Sequence, residues 1–131
     1  MEEIKTNSLP NMECGMAYLA HPYSSPVVST GQYHSPQLNR GKAGEIAFVL
    51  MKKYPNLTII SPLHAYSFLD SKNLTETEIL YYDFRLLSRC DILILSGNWR
   101  NSKGCMAEYG YAKARGKRIY EYRDGLLYPL E

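Results

Sequence analysis

The sequence has few cysteines: only Cys14, Cys90 and Cys105. They share no metal-ligand spacing, and an odd number cannot all pair within one chain. Reduced thiols in a cytoplasmic protein are therefore the expectation. No charge of one sign dominates. Fifteen Lys and Arg face thirteen Asp and Glu, for a formal net charge of +2. That balance argues against nucleic acid as a main partner. No apolar run approaches the ~18 residues of a membrane span, so no membrane partner is expected. The polar start MEEIKTNSLPNMECG is unlike a signal peptide. Residues 1–13 read as a flexible leader and 14–131 as a single domain. There is no internal repeat, low-complexity tract, Walker sequence or GxGxxG fingerprint. Tyrosine is abundant, at twelve residues. Its flat ring with a polar end suits ligand pockets and subunit contacts, and self-association as a dimer or higher oligomer is expected.

The apolar pattern alternates between short and long segments. GMAYLA, Gly15 to Ala20, reads as a buried strand, followed by a long loop to about Pro36. Ser35 and Pro36 open a helix that Pro55 ends, with Leu38, Ile46, Val49 and Leu50 on its apolar face. LTIIS, Leu57 to Ser61, is a second strand, and PLHAYSFLDSKN is a loop. A capping box of Thr75 and Glu78 starts the next helix, with Ile79, Leu80, Phe84, Leu86 and Leu87 as its apolar positions. DILIL, Asp91 to Leu95, is a third strand. A loop and helix follow to Arg115, closed by Gly116. KRIYEY is a last strand, and RDGLLYPLE packs or adds a turn. This order predicts a small doubly wound α/β domain, flavodoxin- or Rossmann-like. Its parallel sheet would have four to five strands, with helices on both faces. Ligands bind such sheets beyond the carboxyl ends of the strands, where HPYSSP, SPLHAY and SGNWRNSKG meet.

Several acidic, hydroxyl and amide groups near that edge invite chemistry. Glu108 falls in the first turns of the last helix, where the macrodipole favours the carboxylate anion. That suits a nucleophile; the plain alternative is a solvated helix residue paired with Lys113. Ser102 and Gly104 offer a hydroxyl and N–H groups to an anion, or Ser102 is simply the helix cap. Asp83, flanked by aromatics in YYDFRLL, is poorly explained as surface. Asp91, at the starting end of its strand, is either a turn residue or functional. Tyr18, His21, Tyr23 and His64 are weaker candidates, and Arg40 could reach a phosphate or be surface charge.

Taken together, YLAHPYSSP, SPLHAY, YYDFRLLSRCDILIL and GNWRNSKGCMAEYGYAKARGKRI resemble the nucleoside 2-deoxyribosyltransferase-like superfamily. The likeness is to its small phage and bacterial branches and covers about Met16 to Tyr122. The resemblance implies a five-stranded doubly wound sheet in an oligomer. It implies cleavage or transfer at the N-glycosidic bond of 2-deoxynucleosides, or hydrolysis of that bond in nucleoside 5′-monophosphates. Glu108 matches the family's nucleophile, and Asp83 the acid that contacts sugar or assists the leaving base. Ser102 and Gly104 match the phosphate-binding step. His21, Pro22, Tyr23, Ser24 and Ser25 match the loop lining the sugar and phosphate pocket. No metal or redox cofactor is implied.

Two functions from different classes follow. One is an N-glycosidase or deoxyribosyltransferase, with Glu108 forming a covalent glycosyl-enzyme and Tyr18 or Tyr23 orienting its carboxylate. Trp99, Arg100 and Lys103 make the preceding loop bulky and basic, which favours a phosphorylated substrate. The other is a non-catalytic module binding a nucleotide or an ADP-ribose-type signal in the same cleft.

Overall fold

The computed structural model describes residues 15–23, 25–26, 33–70 and 72–130. The expected leader, Cys14 and Ser24 lie outside them. One five-stranded sheet has the order β4-β1-β5-β6-β7. Its members are β1 (Met16–Ala20), β4 (Thr58–Ile60), β5 (Ile92–Leu95), β6 (Arg118–Arg123) and β7 (Leu126–Leu130). The first four strands run parallel, as the α/β alternation predicts. The tail does more than add a turn: β7 pairs antiparallel with β6. Asp124 and Gly125 take positive φ, of 50° and 87°. An Asp-Gly pair in that conformation is the favoured two-residue hairpin turn, which folds RDGLLYPLE back along the sheet. A second, two-stranded ribbon joins β2 (Ser25–Pro26) to β3 (Tyr33–His34).

Side chains alternate across β1, so Ala17 and Leu19 face one side while Tyr18 and Ala20 face the other. The first side packs on α1 (Pro36–Lys53) through Leu50 and Tyr54. The second packs on α3 (Glu76–Ser88) and α4 (Lys103–Ala114) through Leu87, Cys105 and Ala112. Each fully buried Leu contributes roughly 1.5–3 kcal/mol of transfer free energy. Among the described residues no helix is long and apolar enough to cross a membrane.

Helix starts follow the sequence. Ser35 accepts from the Leu38 N–H with Pro36 in the first turn, and Thr75 and Glu78 form the full capping box. The buried stripe of α1 differs from the expected one. Asn39, Ala43 and Leu50 are buried, whereas Leu38 and Val49 are exposed at 47% and 38%. Positions 39, 43, 46 and 50 fall on one helical face, and 38 and 49 sit one residue off it. The segment after β4 is also more ordered than a loop. It forms α2 (Pro62–Ala65) and a 3₁₀ turn, Ser67–Leu69.

The chain leaves β1 for β4 on one side and later returns to β5 on the other. The strand order therefore reverses between β1 and β5. Connections diverge there and open a crevice beyond the carboxyl ends of the strands.

Candidate active site

A pocket of about 410 Å³ occupies that crevice. His21 and Tyr23 enter it from the end of β1, Leu63, Tyr66 and Asp70 from the segment after β4, and Ile79, Leu80 and Asp83 from α3. Residues 101–105 and Glu108 close it from the α4 side.

Glu108 is only 5% exposed. The buried positions of α4 are Cys105, Glu108 and Ala112, spaced as one helical stripe. The carboxylate is therefore built into the inner face of the helix. Lys113, the partner of the plain surface reading, instead lies over the Tyr109 ring at 5.8 Å. The hydroxyl of Tyr18 donates to Glu108 Oε2. Tyr18 is fully buried, and burial and the nearby Glu108 hold its phenol well above the ordinary value.

The expectation of an anion stabilised by the macrodipole is corrected here. Glu108 is the sixth residue of α4, beyond the first turn to which that effect is confined. Burial pushes its pKa up to about 8; the Asp83 charge adds to the rise, and the Tyr18 hydrogen bond opposes it. Asp83 is raised to about 6 by burial. Its neighbour Phe84 stacks on Tyr111 with centroids 4.7 Å apart, which anchors α3 against α4.

His21 Nδ1 lies 2.9 Å from Ser96 Oγ. The Ser96 hydroxyl donates to the Ala20 carbonyl at 2.8 Å, so the ring nitrogen is the donor in that pair. Burial lowers the His21 pKa to about 4, opposed by a hydrogen bond with Asn39 and assisted by the charge of Lys42. The ring is neutral at physiological pH. It fits against Gly97 (φ 66°), where an added Cβ would meet His21 Cε1 at 2.6 Å. Ser102 caps α4 by accepting from the Cys105 N–H at 3.2 Å, and both Ser102 and Gly104 line the pocket.

The other expected site residues are placed differently. Tyr23 is in the pocket wall, but its hydroxyl donates to Asp70 Oδ1 at 3.1 Å and does not orient Glu108. Pro22 is buried behind the wall beside Gly97. Arg40 bonds Asp70 and donates from Nε to the Leu63 carbonyl at 2.9 Å, so it is not a wall residue. Asp91 is at the opposite end of the sheet, where Oδ2 accepts from the Met16 N–H at 3.0 Å. An acid that begins a strand cannot reach the carboxyl edge. Trp99 belongs to the core, and its Nε1 donates to Glu121 Oε2 at 2.8 Å. A buried indole needs such an acceptor, and this one turns the ring away from the pocket.

Asp70 and Cys105 line the pocket but were not signalled as site residues, and Tyr66 was signalled only as the end of SPLHAY. Asp70 and Tyr66 fall in a stretch read as loop. Cys105 sits three residues before Glu108, a helical spacing that marks a shared face, and burial and the Glu108 charge push its thiol up to about 12. Glu121 reads as one polar residue in an apolar strand. Among the described residues, no group of three His, Cys, Asp or Glu is placed to hold a metal.

Residues 57–121 match the model of a family described as a domain of unknown function (DUF4406). No curated protein matches the sequence. The structure is similar to the 2-deoxyribosyltransferase from Leishmania mexicana, with a TM-score of 0.51 and 19% identity over 89% of this chain and 79% of that one. Through the order of its strands and the helices that flank them, the chain has a nucleoside 2-deoxyribosyltransferase-like fold.

Proposed function

We propose that this pocket cleaves the N-glycosidic bond of a nucleoside or nucleotide, with Glu108 as the nucleophile. The observation that carries the reading is the buried Tyr18–Glu108 hydrogen bond opening onto a pocket that also holds Asp83. A carboxylate aimed into a cavity and held by a phenol is set to attack a carbon, since its other oxygen is free of that bond.

With burial raising Glu108 to about 8 and Asp83 to about 6, Glu108 holds its proton the more tightly of the two. Attack requires the opposite arrangement. In the proposed sequence, the proton moves from Glu108 to Asp83 as substrate binds, and the Tyr18 hydroxyl stabilises the anion left behind. The Glu108 oxygen then forms a bond to C1′ as the C1′–N bond breaks. The electron pair goes to the base nitrogen, which takes the proton from Asp83. Water, or a second base, then attacks C1′ and gives its proton to the Asp83 carboxylate while the C1′–O bond of the ester breaks and frees Glu108, with net retention after two displacements. Water gives hydrolysis; a second base gives transfer.

Free-base release tests the proposal. Wild type and Glu108→Gln are incubated with 2′-deoxynucleosides, ribonucleosides, their 5′-monophosphates and NAD, and products are separated by chromatography. Wild type is expected to release base, with the variant at least about 1000-fold slower. A proton resting on Glu108 also suits a site that binds without turnover. Tight binding of one compound by both proteins, with no product, would establish that second reading and sink the first.

A further inference from the structure

We infer that Arg40 and Asp70 form a clasp that positions one half of the pocket: it holds the chain after β1 and the segment after β4 in the arrangement a ligand meets, and it leaves the reacting half alone. The inference rests on the glycosidic-bond reading above and adds positioning residues to it.

The two halves of the pocket have different supports. Asp83 and Glu108 project from α3 and α4, which are braced by the Phe84–Tyr111 stack and the Tyr18 hydroxyl. Tyr23, Leu63, Tyr66 and Asp70 come from the end of β1 and from the segment after β4. That segment is a four-residue helix and a three-residue 3₁₀ turn, with Asp70 next. Helical pieces this short do not stand by themselves. They need ties from outside.

Two successive residues of α1 supply the ties. Asn39 Nδ2 donates to the Tyr23 carbonyl at 3.1 Å, which fixes the chain after β1. Arg40 Nε donates to the Leu63 carbonyl at 2.9 Å, and its Nη2 bonds Asp70 Oδ2. Leu63 and Asp70 lie near the start and at the end of the segment, so one guanidinium spans it. The planar fork serves both acceptors at once, as an ammonium does not. Asp70 Oδ1 accepts from the Tyr23 hydroxyl at 3.1 Å, so the carboxylate joins the two stretches to each other as well as to α1. Gly44, one turn beyond Arg40, lets α2 lie close: an added Cβ would meet His64 Nε2 at 3.3 Å.

The Arg40 and Asp70 side chains are 20% and 26% exposed. Solvent screens such a pair, so its effect is on local order more than on global stability. A wall held in place only part of the time raises the apparent Kd by the inverse of that fraction. Loss of the clasp therefore weakens binding without touching the steps at C1′.

The test compares wild type with Arg40→Gln, Asp70→Asn and the double variant. Hydrogen exchange in the ligand-free proteins is expected to quicken about three- to tenfold in residues 61–70 and to stay unchanged in α3 and α4. Base release is followed with the nucleosides and 5′-monophosphates of the panel above. KM is expected to rise about three- to tenfold, with kcat and the pH profile unmoved. The double variant should be no worse than either single one, because both remove the same tie. A merely structural role would instead lower the active fraction and cut kcat at constant KM. Unchanged exchange in residues 61–70 overturns the inference, as do KM effects that add in the double variant. Base release with KM unmoved by either substitution would overturn it and leave the glycosidic-bond reading standing. Quickened exchange with raised Kd by calorimetry, and no base released from any compound, would do the reverse.

Discussion

Asp83 and Glu108 reach one pocket from neighbouring helices, and the charge of the first holds the proton on the second. With values of about 6 and about 8, the pair carries a single proton across that interval. The proposed reaction needs one proton between them. The rate of base release, as kcat/KM, is therefore expected to be bell-shaped, falling below about pH 6 and above about pH 8. A profile flat from pH 5 to pH 9 would show that the pair takes no part in the rate.

Tyr18→Phe removes a hydroxyl that donates to Glu108. That bond favours the anion, so its loss raises the Glu108 value further. Two changes are expected together. The alkaline limb moves to higher pH, and kcat falls by roughly 10- to 100-fold, the worth of one hydrogen bond to a charged group. A lower rate with an unmoved limb would assign Tyr18 to packing alone.

Stability should carry the same signature with a definite sign. The folded value of Glu108, about 8, lies above the ordinary 4.5. The folded state thus holds this proton more tightly than the unfolded chain. The stabilising contribution is full below about pH 4.5 and is lost as pH rises through about 8. Asp83 acts in the same direction, between 3.8 and about 6. Glu108→Gln keeps the Tyr18 acceptor and has no proton to lose. Its Tm is expected to overtake that of wild type as pH climbs from 5 to 9. The difference is bounded by about 5 kcal/mol, at about 1.4 kcal/mol per pKa unit. Parallel melting curves across that range would refute the buried, neutral glutamic acid.

The fold was legible because period and punctuation agree in this chain. Ser35-Pro36, Thr75 with Glu78, and Gly116 each sit where the local backbone needs them. Glu108, Asp83 and Tyr18 were legible as candidates because an acid amid apolar helix positions, or a phenol in a buried strand, has no simple surface explanation. What the sequence concealed were pairings at long range. Nothing near Trp99 announces that Glu121, 22 residues on, will take its N–H. Nothing near Arg40 announces Asp70, 30 residues on. Both pairings draw a residue expected at the ligand into a contact within the fold. The protonation of Glu108 was concealed for a related reason. Helix position is local, but burial depends on what α3 and β1 bring against it.

The central place of β1 has a consequence for how the chain reaches its folded state. β1 is flanked by β4 and β5, and its Ala17 pairs with Ile59 on one side and Ile92 on the other. Neither partner is near in sequence, so the middle of the sheet closes only after long stretches of chain have been gathered in. Such non-local parallel pairing is slow to form. During synthesis the MAYLA segment emerges before β4 and β5, and one edge of this apolar strand stays open until β5 is made. The Tyr18–Glu108 contact spans 90 residues and forms only after that wait ends. The same central strand that supplies the phenol thus makes the site one of the last features of the molecule to assemble.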